Sequence, residues 1–380
     1  MSAALFPLVD AGHPLERGLE AFRAALAADP RLAGPRGECE VKALERPDGA
    51  WAIDRLYCFV PDAAPGGFGG ALLHARAGEA PAVHAFPHDP RLPALAAPAS
   101  PLRAGAEVLR YVPLRRLTFR DGALVGKFKR PSTLSGAYRR LVGAWRAARA
   151  GSAGFAVPRP AGLDAEHGVY LQAAAPGADA ATLVDVASVE RVMAAVGRVH
   201  HDVHALDVPD APRADDAALA EAVQRDLRWI AFNLPAAARD IARIAERVAA
   251  RVPQPGERAF CHGDFVVSQL LLDGDRVTVL DFDLAALGDP CRDVAMLEAS
   301  LAFDVPYLAA AGEGEIARAR SAYLAAYEER AGAALDRERL AWHRAAAAIY
   351  HLAMRIRKGR ADRVEAERSL DALAAMAGAL

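Results

Sequence analysis

Residues 261–293 read CHGDFVVSQLLLDGDRVTVLDFDLAALGDPCRD. The runs FVVSQLLL and VTVL flank Asp273-Gly274, a dipeptide typical of tight hairpin turns. Folding there sets Gln269 opposite roughly Val279–Leu280, and so beside Asp281. Asp264 precedes the first run and Asp281 ends the second, so both carboxylates open toward the same end of the hairpin. A carboxylate at the end of an apolar strand is costly unless it is paired or ligates something.

Two such carboxylates suit one reaction. Moving a phosphoryl group to a hydroxyl needs a group to orient the hydroxyl and receive its proton, and positive charge on the donor phosphates. A magnesium ion supplies that charge and takes hard oxygen ligands.

Outward from the hairpin, apolar residues recur at helical spacing over 185–205, 214–232 and 236–251 before it, and over 289–302, 315–331 and 337–358 after it. Further upstream, strands are predicted at Val108–Val112, Leu117–Arg120 and Leu124–Lys129. Asp121-Gly122 turns the last two, and Pro131 stops the third. A helix over 133–150 and a strand over 168–174 follow, then the linker-like APGADAAT. The first hundred residues give a helix at 14–28 and strands within 39–47, 50–61 and 71–77, the last two separated by APGGFGG, then a Pro-rich connector at 89–105. The expected architecture is α+β: an N-terminal α+β subdomain (1–100), a small antiparallel-sheet lobe (105–175) and a mainly helical lobe (176–380) carrying the hairpin at 260–293. A cleft between two lobes is a usual place for a nucleotide.

The 380 residues are 53% hydrophobic and 25% charged, ordinary for a soluble globular protein. A net charge of −2 gives no case for nucleic acid or a membrane surface. No apolar run reaches membrane-span length, and MSAALFPLVDAGHPLERGLEAF lacks the pattern of a signal peptide. A cytoplasmic protein is expected. The four cysteines, Cys39, Cys58, Cys261 and Cys291, form no metal spacing and are expected to be reduced thiols. Of 46 basic residues only Lys42, Lys127, Lys129 and Lys358 are lysines. Two of these four share ALVGKFKR, on one face of a strand, where a compact charge and a planar fork are not interchangeable.

The composite HGDFVVSQLLL…VLDFDLAALGDPCRDVAML resembles the aminoglycoside phosphotransferase and choline kinase-like superfamily, relatives of protein kinases. That pattern runs H-G-D, four residues, Asn, a second strand ending in Asp, then G-D-P-x-x-D. The resemblance covers about 105–360, and the first hundred residues are similar to the cap subdomain of maltokinase-like members. It implies a bilobal protein-kinase-like fold. It also implies transfer of the γ-phosphoryl of ATP or GTP, with Mg²⁺, to a hydroxyl of a sugar, amino alcohol or aminoglycoside-like acceptor. By resemblance Asp264 is the catalytic base, Asp281 the metal ligand, Gln269 the residue in place of the metal-binding Asn, and Asp283 a support for a second metal. Lys127, with Lys129 second, takes the place of the ATP-binding lysine. YLQAAAPG resembles the hinge strand, and HHDVHALDVP the end of the helix preceding the acceptor region. His262 is expected to anchor the loop, and Asp289 and Asp293 to cap the next helix and hold the loop.

Three departures stand out. Gln269 is one methylene longer than Asn. No acid occurs between Lys129 and Leu163 to pair with Lys127, where the family has a Glu. The turn VPLRR has no glycine, so Arg115 and Arg116 either supply charge to phosphates or are plain surface. A pseudokinase that binds nucleotide or serves as a scaffold therefore stays open, and an unrelated metal hydrolase ranks last. In the C-terminal segment, His343, His351, Arg355 and Lys358 can share one helix face. That favours a neutral or anionic acceptor over a polycation, unless the face is simply solvated.

Overall fold

The computed structural model describes residues 6, 8, 13–62, 68–103, 105–151, 153–254 and 256–380, so most of the first twelve residues and of the Gly-rich stretch at 64–70 lies outside the described residues. Leu15, Leu19, Phe22 and Leu26 fall at helical spacing and bury one face of α1 (Glu16–Ala28). That face packs on an antiparallel sheet of β1 (Cys39–Glu45), β2 (Trp51–Pro61), β3 (Gly70–Arg76) and β4 (Ala82–Ala85), in sequence order. Cys39 and Cys58 are register partners on β1 and β2, and they form a disulfide. The expectation of four reduced thiols is wrong for this pair. Their spacing of 19 residues signals nothing by itself, and strand pairing is what brings them together. Cys261 and Cys291 are free and buried.

The second sheet consists of β5 (Glu107–Val112), β6 (Arg116–Asp121), β7 (Leu124–Lys129), β8 (Pro160–Asp164) and β9 (Val169–Ala173). Its order is β5-β6-β7-β9-β8, all antiparallel. Pro131 ends β7 and opens α2 (Pro131–Ala150), where its missing N–H costs nothing. The two short strands β4 and β8 lack the strong alternation that the sequence reading relied on.

The helical lobe follows: β10 (Ala178–Asp179), α3 (Val189–His204), α4 (Asp216–Asn233) and α5 (Ala238–Ala250). Next come β11 (Ala259–Cys261), β12 (Leu270–Asp273), β13 (Arg276–Val279) and β14 (Ala286–Gly288). The chain ends in α6 (Pro290–Asp304), α7 (Pro306–Ala311), α8 (Glu313–Ala331), α9 (Arg337–Arg357) and α10 (Arg363–Gly378). The hairpin has the expected register: Leu270 faces Val279, and Leu280 N–H donates to Gln269 O at 2.8 Å. The bilobal α+β arrangement is as expected. No helix among the described residues is long and apolar enough to cross a membrane.

Three apolar clusters fix the lobes. One joins α2, α3, the hairpin, α6 and α8. A second joins α1 and the first sheet to α4, α5, α9 and α10, with Phe22 and Leu56 in the same cluster as Trp229 and Ile349. A third packs Tyr57, Phe59 and Leu72 of the first sheet against Tyr111, Leu117 and Phe128 of the second. The first sheet thus shares core with both lobes and braces one against the other.

Helices α3 and α8 meet backbone to backbone at Gly197, where a Cβ would lie 2.2 Å from Tyr323 O. Gly197→Ala must push the two helices apart, at an expected cost of about 1–3 kcal/mol. Denaturant unfolding checks this, and an unchanged midpoint would contradict the packing.

Candidate active site

The loop after β11 is stitched down from three sides. Gly263 has φ 83°, and a Cβ there would sit 2.5 Å from Leu284 O, so the position requires glycine. Asp293, on α6, accepts from the backbone N–H of His262 at 2.5 Å and of Gly263 at 3.0 Å. The His262 ring donates through Nε2 to Leu280 O at 2.7 Å, tying the loop to the end of β13, while its Nδ1 faces the Asp264 N–H at 3.4 Å. His262 anchors the loop, as its place in the sequence suggested. Asp264 is left half-buried, and no Lys or Arg among the described residues lies within ion-pair distance of it. Burial raises its pKa above the ordinary carboxylate value, against a lowering pull from His262; Asp281 adds to the rise, and Arg116 and Arg110 oppose it.

Asp293 is itself held from behind. His200 and His204, one turn apart on α3, point Nε2 at its Oδ2 from 3.6 and 3.5 Å. Their Nδ1 atoms meet the hydroxyls of Tyr323 and Tyr327, one turn apart on α8, at 2.6 and 2.7 Å. Burial drives the His200 pKa down to about 3, so its ring is neutral, with Tyr323 donating to Nδ1 and Nε2–H directed at Asp293. The three side chains His200, His204 and Asp293 have metal-ligand chemistry, with ligating atoms within 4.8 Å of one another. The oxygens of Asp293 accept from the loop's N–H groups, and the two imidazoles back the carboxylate from just beyond hydrogen-bond distance, so the set reads as a brace for the loop. Asp289 caps α6 through Cys291 N–H at 2.9 Å and also binds His343 at 3.1 Å and Arg339. Burial alone would raise its pKa; His343, the Cys291 N–H and Arg339 outweigh that and hold it down at about 2. Asp289 and Asp293 thus cap and hold, as expected.

Across the cleft, β7 presents its two lysines on one face. Lys127 Nζ lies 2.8 Å from Asp281 Oδ1, and Lys129 Nζ 2.5 Å from Asp283 Oδ2. Lys127 therefore does have an acidic partner. It is Asp281 at the end of the hairpin, not a residue of α2. Arg116 reaches Asp281 Oδ2 at 3.3 Å, and Gln269 Nε2 lies 3.5 Å from the same oxygen. Burial would raise the Asp281 pKa, but Lys127 and Arg116 outweigh it and hold the carboxyl well below its usual range. Asp281 is also one of the few non-glycine residues with positive φ, 62°, a strained conformation that turns its carboxylate toward β7. The other oxygen of Asp283 accepts from Tyr170 OH at 2.6 Å. Tyr170 was not foreseen, although it is the register partner of Lys127 on β9.

The glycine-free turn explains itself. Leu114 takes φ 62° and is buried, and its N–H donates to Asp89 at 2.7 Å, while Arg115 N–H donates to Val112 O at 3.1 Å. Those backbone donors are spent, so only side chains of this turn can meet an anion. Arg116 does so at Asp281, whereas Arg115 is exposed at the rim. A cavity of about 690 Å³ opens in front of Asp264, lined also by Arg115, Arg116, Lys129 and Asp283 and walled by α2, α4, α6 and α9. Lys127, Gln269 and Asp281 lie outside its lining, in the adjoining part of the cleft. His343 and Lys358 line it, but His351 and Arg355 face a different cavity, between α6, α8, α9 and α10. The proposed basic helix face is therefore split in two.

A family model described as the phosphotransferase enzyme family matches residues 98–343. Among solved structures, a thermostable mutant of the aminoglycoside phosphotransferase APH(4)-Ia has 17% identity over 72% of this chain and 94% of its own, with a TM-score of 0.52, and shares the fold. A choline/ethanolamine kinase family protein from Mesorhizobium loti matches at 17% identity over 75% of this chain and 90% of its own, with a TM-score of 0.48. Choline kinase LicA from Streptococcus pneumoniae matches at 12% over 72% and 93%, also at 0.48. No curated protein sequence matches the chain. The family model covers well over half of the sequence, including both lysines and both aspartates of the cleft, and the chain belongs to the phosphotransferase enzyme family.

Proposed function

We propose that this phosphotransferase is a small-molecule kinase that moves the γ-phosphoryl of ATP to a hydroxyl group. One observation carries the reading: the cleft holds two carboxylates in opposite states. Asp264 faces the cavity with no Lys or Arg within ion-pair distance among the described residues, and Asp281 is gripped by Lys127 and Arg116. The first suits a proton acceptor, the second a cation site.

Asp264 orients the acceptor hydroxyl and takes its proton as the oxygen–phosphorus bond forms and the bond between the γ-phosphorus and the bridging oxygen breaks, releasing ADP. Lys127 and Arg116, now on Asp281, are placed to turn to the donor's phosphate oxygens. Asp281 and Gln269 fit a magnesium ion in donor type, since Gln269 already reaches Asp281 and needs only an amide rotation to present Oε1 instead of Nε2. When bound, the ion supplies positive charge to the phosphates. Both oxygens of Asp283 are engaged, so it serves a second ion only by releasing Lys129 or Tyr170.

The pseudokinase reading draws on the same ion pairs, because Lys127 and Arg116 already occupy Asp281. Turnover separates the two. Asp264→Asn is expected to bind Mg·ATP like the unaltered protein and to lose turnover by about 10²–10⁴-fold, followed as ADP release; undiminished turnover would remove Asp264 as the base. Because that base acts deprotonated and its pKa is raised, kcat/KM should fall on acidification at a pH above the ordinary carboxylate range. A profile flat down into that range contradicts the role. Asp281→Asn should abolish the metal dependence of ATP binding, read by titration calorimetry with and without Mg²⁺. GTP in the same titration tests the choice of donor.

A further inference from the structure

The cavity in front of Asp264 is charged in one direction. Nine Lys and Arg residues line it against three Asp. Pairing makes the imbalance sharper. Asp226 is bound to Arg357 at 2.6 Å and Asp283 to Lys129 at 2.5 Å, which leaves Asp264 as the one lining carboxylate without a basic partner among the described residues. On the other side, six lining arginines have no carboxylate within ion-pair distance among the described residues: Arg140, which donates to Ala285 O at 2.9 Å, and the unpaired Arg110, Arg115, Arg130, Arg139 and Arg292. Nε of Arg130 is buried with no hydrogen-bond partner. Burial lowers the Arg130 pKa, and the neighbouring Arg91, Arg115 and Arg55 lower it further.

Arg110, Arg115 and Arg139 are exposed at the cavity mouth and Arg130 and Arg292 are half-buried; like charges gathered around one cavity repel one another, and an anion bound among them relieves the repulsion. Donor phosphates do not account for the whole set. The donor's lysine and cation site lie outside this cavity, and the arginines come from β5, α2 and α6 as well as from the turn. A polycationic acceptor would meet five unpaired arginines and find only Asp264, the group its hydroxyl needs. A neutral sugar would leave the arginines uncompensated.

Building on the kinase reading, we infer that the acceptor is a small hydroxyl compound that also carries a carboxylate or phosphate group. Its anion is held by arginines such as Arg139 and Arg292 while its hydroxyl faces Asp264. Arg139 and Arg292 are then specificity-determining residues.

A matched hexose series tests this: gluconate, glucose 6-phosphate, glucose and glucosamine. Each is titrated calorimetrically into the full chain loaded with Mg·ADP, and each is assayed with Mg·ATP for ADP release. At least one anionic member is expected to bind about tenfold or more tightly than glucose, with glucosamine weakest, and the two anionic arms separate carboxylate from phosphate. Arg139→Gln and Arg292→Gln should each weaken that anion about tenfold while changing glucose by less than about twofold, and Arg→Lys should restore part of the loss. Equal or tighter binding of glucose or glucosamine, no detectable anion binding, or variants that weaken all four alike would overturn the inference. The kinase reading fails separately: absence of Mg·ATP binding, or wild-type ADP release from Asp264→Asn, sinks it whatever the calorimetric ranking.

Discussion

The pair between Lys127 and Asp281 is the contact on which the site depends, because it is the point where the two lobes meet chemically. Lys127 belongs to a strand of the small sheet and Asp281 to the end of the hairpin in the helical lobe. Lys129 and Asp283 repeat the contact one step along. Ion pairs this buried gain little net stability, since desolvation offsets most of their attraction. Their value is positional. They fix the distance and register between a strand that carries cations and a hairpin that carries carboxylates. The removal of either partner would leave a buried charge uncompensated.

The rest of the molecule keeps that contact in place. The first sheet packs against both lobes and shares apolar core with each. Behind the loop that carries Asp264, a chain of polar contacts runs from Tyr323 and Tyr327 through His200 and His204 to Asp293 and the His262 and Gly263 N–H groups. The hydrogen-bonded links are the tyrosine hydroxyls with the Nδ1 atoms and Asp293 with the loop N–H groups, while the two Nε2 atoms face Asp293 in charge-dipole contact at 3.6 and 3.5 Å. The result is a loop whose only uncommitted carboxylate is Asp264. The loop is tied to the scaffold through Asp293 and His262, and it is open where a substrate would arrive.

Most of this site was legible in local sequence because its parts are close in the chain. A hairpin folded at Asp273-Gly274 brings Gln269 beside Asp281 by register alone, and alternation on one strand aligns Lys127 with Lys129. The departures from the family pattern are local in the sequence but are resolved by distant residues. The missing acid on α2 looked like a lysine without a partner, yet the partner lies 154 positions away on the hairpin. The glycine-free turn looked like a lost phosphate loop, and the reason its N–H groups are occupied is Asp89, contributed by the connector before the sheet. Tyr170 carries no motif and became visible only as the strand neighbour of Lys127. The disulfide between Cys39 and Cys58 was missed for a similar reason.

What the sequence alone determined was the order of elements, the bilobal α+β class and the identity of the acids and lysines in the cleft, because hydrophobic period, turn chemistry and a long ordered motif act over short stretches of chain. What only the tertiary structure decided was charge balance. Whether a given arginine is paired depends on carboxylates brought near it from distant segments. The helix face that seemed uniformly basic divides between two cavities once α9 is packed. The excess of unpaired arginines before Asp264 is a property of the packed arrangement, since five residues from several elements reach one cavity and the acids that might neutralise them are already bound elsewhere.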